Sequence, residues 1–168
     1  AHDRREGGIP YASMKVGICW EGSKTHRNDG MRSLPRSAVA PLATVEGVEW
    51  FALAKDGWTP EMGAAGLPNA LALCEDWLDT ARVVEALDLV ITVDTAIAHI
   101  AGGLGVPCWI LLAAVPDMRW MLGRSDSPWY SSVKLYRQTI AGEWGPVVER
   151  VARDLQQHIY ANRLQEAA

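Results

Sequence analysis

Two groups of residues in this chain of 168 are suited to holding an anion. The first is Asp94-Thr95-Ala96-Ile97-Ala98-His99. It follows the β-branched run Leu87-Asp88-Leu89-Val90-Ile91-Thr92-Val93, and small residues at helical spacing continue it to Gly105 and Pro107. A helix that starts after a buried strand presents unpaired N–H groups and the positive end of its dipole. Thr95 lies in that turn, and His99 lies one helical turn on, on the same face. The second group is Gly22-Ser23-Lys24 with Arg27 and Arg32. Glycine and serine allow close hydrogen bonds, and arginine offers a planar fork to phosphate oxygens. Each group has a duller alternative: Asp94 as a helix cap with His99 as a satisfied histidine, and the second group as a solvated loop. The two together point to a diphosphate held between them.

That chemistry needs strands that end at a common crevice. The expected strands are Met14–Trp20, Glu49–Ala54, Ala70–Leu73, Leu87–Val93, Pro107–Ala113 and Val133–Arg137. Helices are expected over about Ser37–Val45, from an N-cap at Thr59 to Gly66, from a cap at Asp79 to Ala86, from Thr95 to Gly105, and from Pro146 to Leu164. In the last, Val147, Val148, Val151, Ala152, Leu155 and Ile159 follow the helical period. Alternating strands and helices predict an α/β fold, a Rossmann-like doubly wound parallel sheet of about six strands in the order 3-2-1-4-5-6. Ligands in such sheets bind at the carboxyl ends of the strands, where the strand order reverses. Residues 1–13 read as a linker or frayed end, and residues 14–168 as one domain.

Composition narrows the classes. Hydrophobic residues at 49% and charged residues at 21% mark a globular chain rather than a disordered one. A net charge of −4 argues against a nucleic-acid-coating surface. Asp88 and Asp94 flank the most apolar stretch, so no membrane span is expected, and the charged start lacks the apolar core of a signal peptide. Cys19, Cys74 and Cys108 form no CxxC pair and read as free thiols of a reducing, cytoplasmic setting.

Other residues could complete a nucleotide site. Lys55 and Asp56 end the second expected strand and could meet a ribose. Trp77, between Asp76 and Asp79, could wall a base, or the stretch could be capping with a core tryptophan. Residues 116–130 hold Asp117, Arg119, Trp120, Arg124, Asp126, Trp129 and Tyr130. This long loop is either functional or a self-packed plug with Arg119 and Arg124 paired to Asp117 and Asp126. Gly22-Ser23-Lys24-Thr25 departs from the phosphate-loop pattern because serine separates glycine from lysine. There is no Asp-x-Asp, His-x-x-x-His, Gly-x-Ser-x-Gly or Gly-x-Gly-x-x-Gly, which disfavours a metal site, a hydrolase and an ordinary dinucleotide fold.

Val16-Gly17-Ile18-Cys19-Trp20-x-Gly22, His26-x-Asn28-Asp29, Arg32-Ser33-Leu34-Pro35, Asp76-Trp77-x-Asp79-Thr80-Ala81, the Asp94-Thr95-x-x-x-His99 turn and Asp126-Ser127-Pro128-Trp129-Tyr130 carry a resemblance. Over about residues 14–155 the chain resembles the carboxy-terminal half of the bacterial ADP-heptose:lipopolysaccharide heptosyltransferase family. It looks most like the relatives in which that half follows tetratricopeptide repeats. The resemblance implies a GT-B glycosyltransferase whose second Rossmann-like half binds the donor nucleotide sugar. It implies diphosphate contacts from Ser23, Lys24, Arg32, Asp94, Thr95, Ala96 and His99, and nucleoside contacts from Lys55 or Asp56 and Trp77. Members of that family often carry lysine where this chain has Arg32.

The resemblance implies no cofactor and no metal. As the sugar leaves, Arg32, Lys24 and the N–H groups at Thr95-Ala96 would meet the charge that builds on the diphosphate. The acceptor and its catalytic base belong to the other half of the family fold, which is not expected within this chain, so weak or no transfer is expected from it alone. The expected partners are a nucleotide sugar and an amino-terminal acceptor half or tetratricopeptide-repeat segment, with homo-oligomerisation through the crevice face as another possibility. Two rivals stand beside this reading: a nucleotide-sugar epimerase or hydrolase on the same scaffold, and a non-catalytic interaction domain. Exposed apolar surface on the crevice side would mark a docking face.

Overall fold

The computed structural model describes residues 12–166. The linker expected over residues 1–13 lies outside the described residues except for Ala12 and Ser13, which carry no regular structure. The sheet has five parallel strands: β1 (Met14–Cys19), β2 (Val48–Ala52), β3 (Leu89–Val93), β4 (Cys108–Leu112) and β5 (Val133–Arg137), in the order β2-β1-β3-β4-β5. Val16 of β1 stands opposite Trp50 of β2, and Ile18 opposite Ile91 of β3. Strands β3 and β4 are buried at every position, as a parallel sheet covered on both faces requires.

The helices are α1 (Asp29–Arg32), α2 (Arg36–Val39), α3 (Pro60–Ala64), α4 (Trp77–Glu85), α5 (Ala96–Leu104) and α6 (Gly145–Glu166). One face of the sheet packs Val16, Ile18, Leu89, Ile91 and Trp109 against Val147, Val148, Val151 and Leu155 of α6. The other packs Val90, Ile110 and Leu135 against Val84 of α4, Ile97 and Ala101 of α5, and Trp120. The sheet is thus doubly wound, and the strand order reverses between β1 and β3.

Three local expectations are corrected. Residues 70–73 form turns rather than a strand, and only an isolated bridge joins Asn69 to Ala52. The Asn69 side chain donates to the Ala54 carbonyl at 2.9 Å and accepts from the Leu71 N–H at 3.1 Å, which winds the chain away from the sheet edge. With that strand removed, the expected order becomes the observed one. Helix α4 is capped by Asp76, not Asp79: Asp76 Oδ1 accepts from the N–H groups of Leu78 and Asp79 at 2.8 and 2.9 Å. The helix expected over Ser37–Val45 is split into α2 and a 3-10 turn (Ala40–Thr44), because Pro41 has no N–H to continue the α-helical ladder.

Candidate functional site

The chain leaves β1 at Trp20 and returns at Leu34, whose N–H donates to the Trp20 carbonyl at 2.7 Å. Inside this loop a short relay fixes the backbone. Gly22 N–H donates to Ser33 Oγ at 2.9 Å, and Ser33 Oγ donates to Asp29 Oδ1 at 2.7 Å. Asp29 is buried at the start of α1. Arg32, one helical turn later, lies 3.7 Å from the same carboxylate through Nε. Its Nη1 crosses the crevice and donates to the Asp94 carbonyl at 2.8 Å. A Cβ placed on Gly22 would fall 2.5 Å from Arg32 Nη2, so only glycine lets the guanidinium lie flat on this backbone. Arg32 therefore ties the loop after β1 to the turn after β3.

Lys24 and Ser23 sit further out. Lys24 Nζ pairs with Glu21 at 2.7 Å and lies 3.6 Å from Asp29. The hydrogen bond to Glu21 raises its pKa above the ordinary lysine value. Ser23 Oγ is 2.8 Å from Thr25 Oγ1 on the exposed rim. Both residues are exposed, and Lys24 is already balanced by two carboxylates.

Across the crevice, Thr95 occupies the N-cap position of α5 but makes no side-chain cap. Its Oγ1 instead lies 3.1 Å from Thr92 Oγ1 and 3.9 Å from Cys19 Sγ. The hydroxyl is drawn back toward the strands, so it leaves the first-turn N–H groups at Ala96 and Ile97 uncapped toward the crevice. Asp94 is not the cap, and it contributes its carbonyl to Arg32. Burial pushes the Cys19 thiol up, so it stays protonated.

His99 stands one turn into α5 and is gripped by the loop after β4. Its ring stacks on Trp120 with centroids 5.3 Å apart. Nδ1 lies 3.0 Å from Tyr130 Oη, and Nε2 lies 3.3 Å from Arg119 Nη1. A guanidinium can only donate, so Nε2 accepts and the Nδ1 proton faces Tyr130. Tyr130 approaches because Gly102 has no side chain: a Cβ there would fall 2.5 Å from the tyrosine ring. Arg119 is held by Asp117 at 2.8 Å, and Trp129 Nε1 donates to the Arg119 carbonyl at 2.9 Å. Arg124 pairs with Asp126 at 2.7 Å. Both expected arginine–aspartate pairs of the plug are thus formed, and the loop also reaches into the site through His99.

Burial and the Arg119 charge push the His99 pKa below the ordinary histidine value, while Asp94 and Asp117 pull weakly the other way. Its neutral form is favoured in the fold. The stability this contributes is complete above the unfolded-state pKa of about 6.5 and is lost as pH falls through the lower folded-state value. The urea midpoint of the wild type is therefore expected to drop between about pH 7.5 and pH 5.5 more than that of His99→Gln. Parallel profiles would contradict the neutral assignment.

The expected nucleoside contacts lie at the edge of this cluster: in the loop after β2, Gly57 lies against the Glu21 side chain that pairs with Lys24. Lys55 and Asp56 are exposed beyond β2, and neither makes an ion pair among the described residues. Trp77 is 64% exposed at the first position of α4, where the Asp76 cap turns it outward. Sequence reasoning passed over Glu21 and Asp29, which balance the cations. The spacing of Asp29 to Arg32 and Ser33, three and four residues, was the available signal. The crevice rim is apolar and open: Leu73, Trp77, Val115, Met118, Leu122 and Trp129 are all exposed on loops at the carboxyl end of the sheet or at the start of α4. Among the described residues, no helix is long and apolar enough to cross a membrane.

No family model matches the chain. Among curated proteins it is similar to protein FlbA of Caulobacter vibrioides, with 30% identity over 152 residues, covering 84% of this chain and 25% of that protein. The chain thus spans about a quarter of the length of the curated relative it matches.

Proposed function

We propose that this domain binds the diphosphate of a donor nucleotide sugar and is the donor half of a metal-independent glycosyltransferase. The observation that carries the reading is the Arg32 guanidinium, laid on Gly22 and joined to the Asp94 carbonyl across the strand-order reversal. It stands beside the uncapped start of α5, so a fixed cation and free N–H groups converge on one crevice. Ser23 and Lys24 lie at the mouth, where Lys24 can exchange its carboxylate partners for phosphate oxygens. Such an arrangement stabilises charge as it develops on a leaving diphosphate.

In this reading the acceptor and the base that deprotonates it come from a companion domain. The apolar rim supports that part, since an exposed apolar surface around a crevice is what a docking partner covers. The same rim would serve a non-catalytic interaction domain, and ligand binding separates the two. A cytoplasmic setting belongs to the reading and fits three unpaired cysteines.

The test is thermal unfolding with ADP, UDP, GDP and CDP and their sugar conjugates. A ligand that binds the folded state alone adds about 2.7 kcal/mol at a hundredfold excess over its dissociation constant. One base is expected to stand out, with its sugar conjugate at least as effective. No shift with any nucleotide at millimolar concentration would count against donor binding and for the interaction domain.

A further inference from the structure

A second polar corner lies at the far side of the same sheet end, about two strand spacings or 10 Å from β3. Arg137 closes β5 on the face that carries Val133 and Leu135, which is also the face on which Trp120 packs. Arg137 Nη2 donates to the Trp120 carbonyl at 3.1 Å, whereas its buried Nη1 has no acceptor. No carboxylate pairs with this guanidinium among the described residues. Burial pushes its pKa below the ordinary arginine range, and it remains charged. Trp120 is fully buried, and its indole Nε1 is likewise without an acceptor. Buried donors without partners are rare in folded proteins, and a half-buried cation without a counter-ion is rarer still. Next to Trp120 the backbone is strained, because Met121 holds φ +50°, the one positive φ outside glycine among the described residues.

We propose that Arg137 and Trp120 form an oxyanion subsite, separate from the Arg32 crevice, that takes a phosphate or carboxylate group of a bound molecule. Both groups are donors only, so the complementary species is an acceptor, and the uncompensated charge makes it an anion. An anion seated there supplies the counter-charge that the corner lacks. The assignment holds independently of the donor-domain reading, because it rests on other residues.

The experiment titrates the whole chain with sodium phosphate and, separately, sodium acetate, against sodium chloride at equal ionic strength. Two signals are followed: the melting temperature, and the Trp120 indole N–H resonance, assigned by its disappearance in Trp120→Phe. At least one of the two anions is expected to raise the melting temperature and move that resonance saturably. Arg137→Gln is expected to weaken the half-saturation about tenfold or more, and Arg137→Lys less. In Arg32→Ala the indole resonance is still expected to move saturably, which separates this corner from the crevice, whereas the melting-temperature response to phosphate falls by the share that the crevice contributes. A response to phosphate alone assigns a phosphoryl group, and a response to acetate alone assigns a carboxylate. An indole resonance that moves with neither anion would overturn the proposal, even if Arg137→Gln does not fold. So would an indole response that survives in Arg137→Gln or vanishes in Arg32→Ala.

Discussion

Replacing Trp120 with alanine is expected to lower stability by about 3–5 kcal/mol in urea unfolding, the usual cost of emptying a large aromatic site in a packed core. Trp120 is fully buried and joins the core made by Ile97, Ala101, Ile110 and Leu135. It also carries the His99 ring at 5.3 Å, so its loss releases the histidine from one of its three holds. The phenylalanine variant keeps an aromatic ring and should lose much less. A loss below about 1 kcal/mol for Trp120→Ala would mean that the loop after β4 packs loosely and that His99 is positioned by α5 alone.

The second large effect is on ligand affinity. Arg32→Ala is expected to weaken binding of the preferred nucleoside diphosphate by about tenfold to hundredfold, from the loss of one charge-assisted contact worth about 1.5–3 kcal/mol. Arg32 is held on three sides, by the Gly22 backbone, the Asp29 carboxylate and the Asp94 carbonyl, so its charge is already in place before a ligand arrives. Arg32→Lys keeps the charge but loses the fork, and should fall between the two. Lys24→Ala should cost far less, because Lys24 is 61% exposed and pairs with Glu21 and Asp29 in the free state. Isothermal titration of the three variants reads these differences directly. Equal losses for Lys24→Ala and Arg32→Ala would indicate a diffuse electrostatic surface rather than a built contact.

The fold was largely legible because its signals are local and strong. The β-branched runs at Leu89–Val93 and Cys108–Leu112 are buried at every position, and Gly105 ends α5 in the left-handed conformation, as its place after a small-residue helix implied. The extra strand expected over residues 70–73 failed because a single side chain, Asn69, competes for the backbone. Likewise the cap of α4 lay three residues earlier than expected, since Asp76 and Asp79 are equal as sequence signals and only the chain path tells them apart. The candidate anion-site residues of the two loops were legible as types. Their roles were not. That Arg32 crosses to Asp94 depends on a contact 62 residues away, and that Thr95 turns its hydroxyl back depends on hydrogen bonds to Thr92 and, across to β1, Cys19. The outward direction of Trp77 likewise follows from the cap and not from its own type.

The measurement that bears most directly on donor binding is amide chemical-shift mapping of the nitrogen-labelled chain during titration with ADP and with UDP. Saturable shifts are expected, concentrated at Gly22, Ala96 and Ile97, with the Arg32 side-chain resonances moving in step. Saturable shifts confined to other parts of the molecule, or none at millimolar nucleotide, would contradict donor binding.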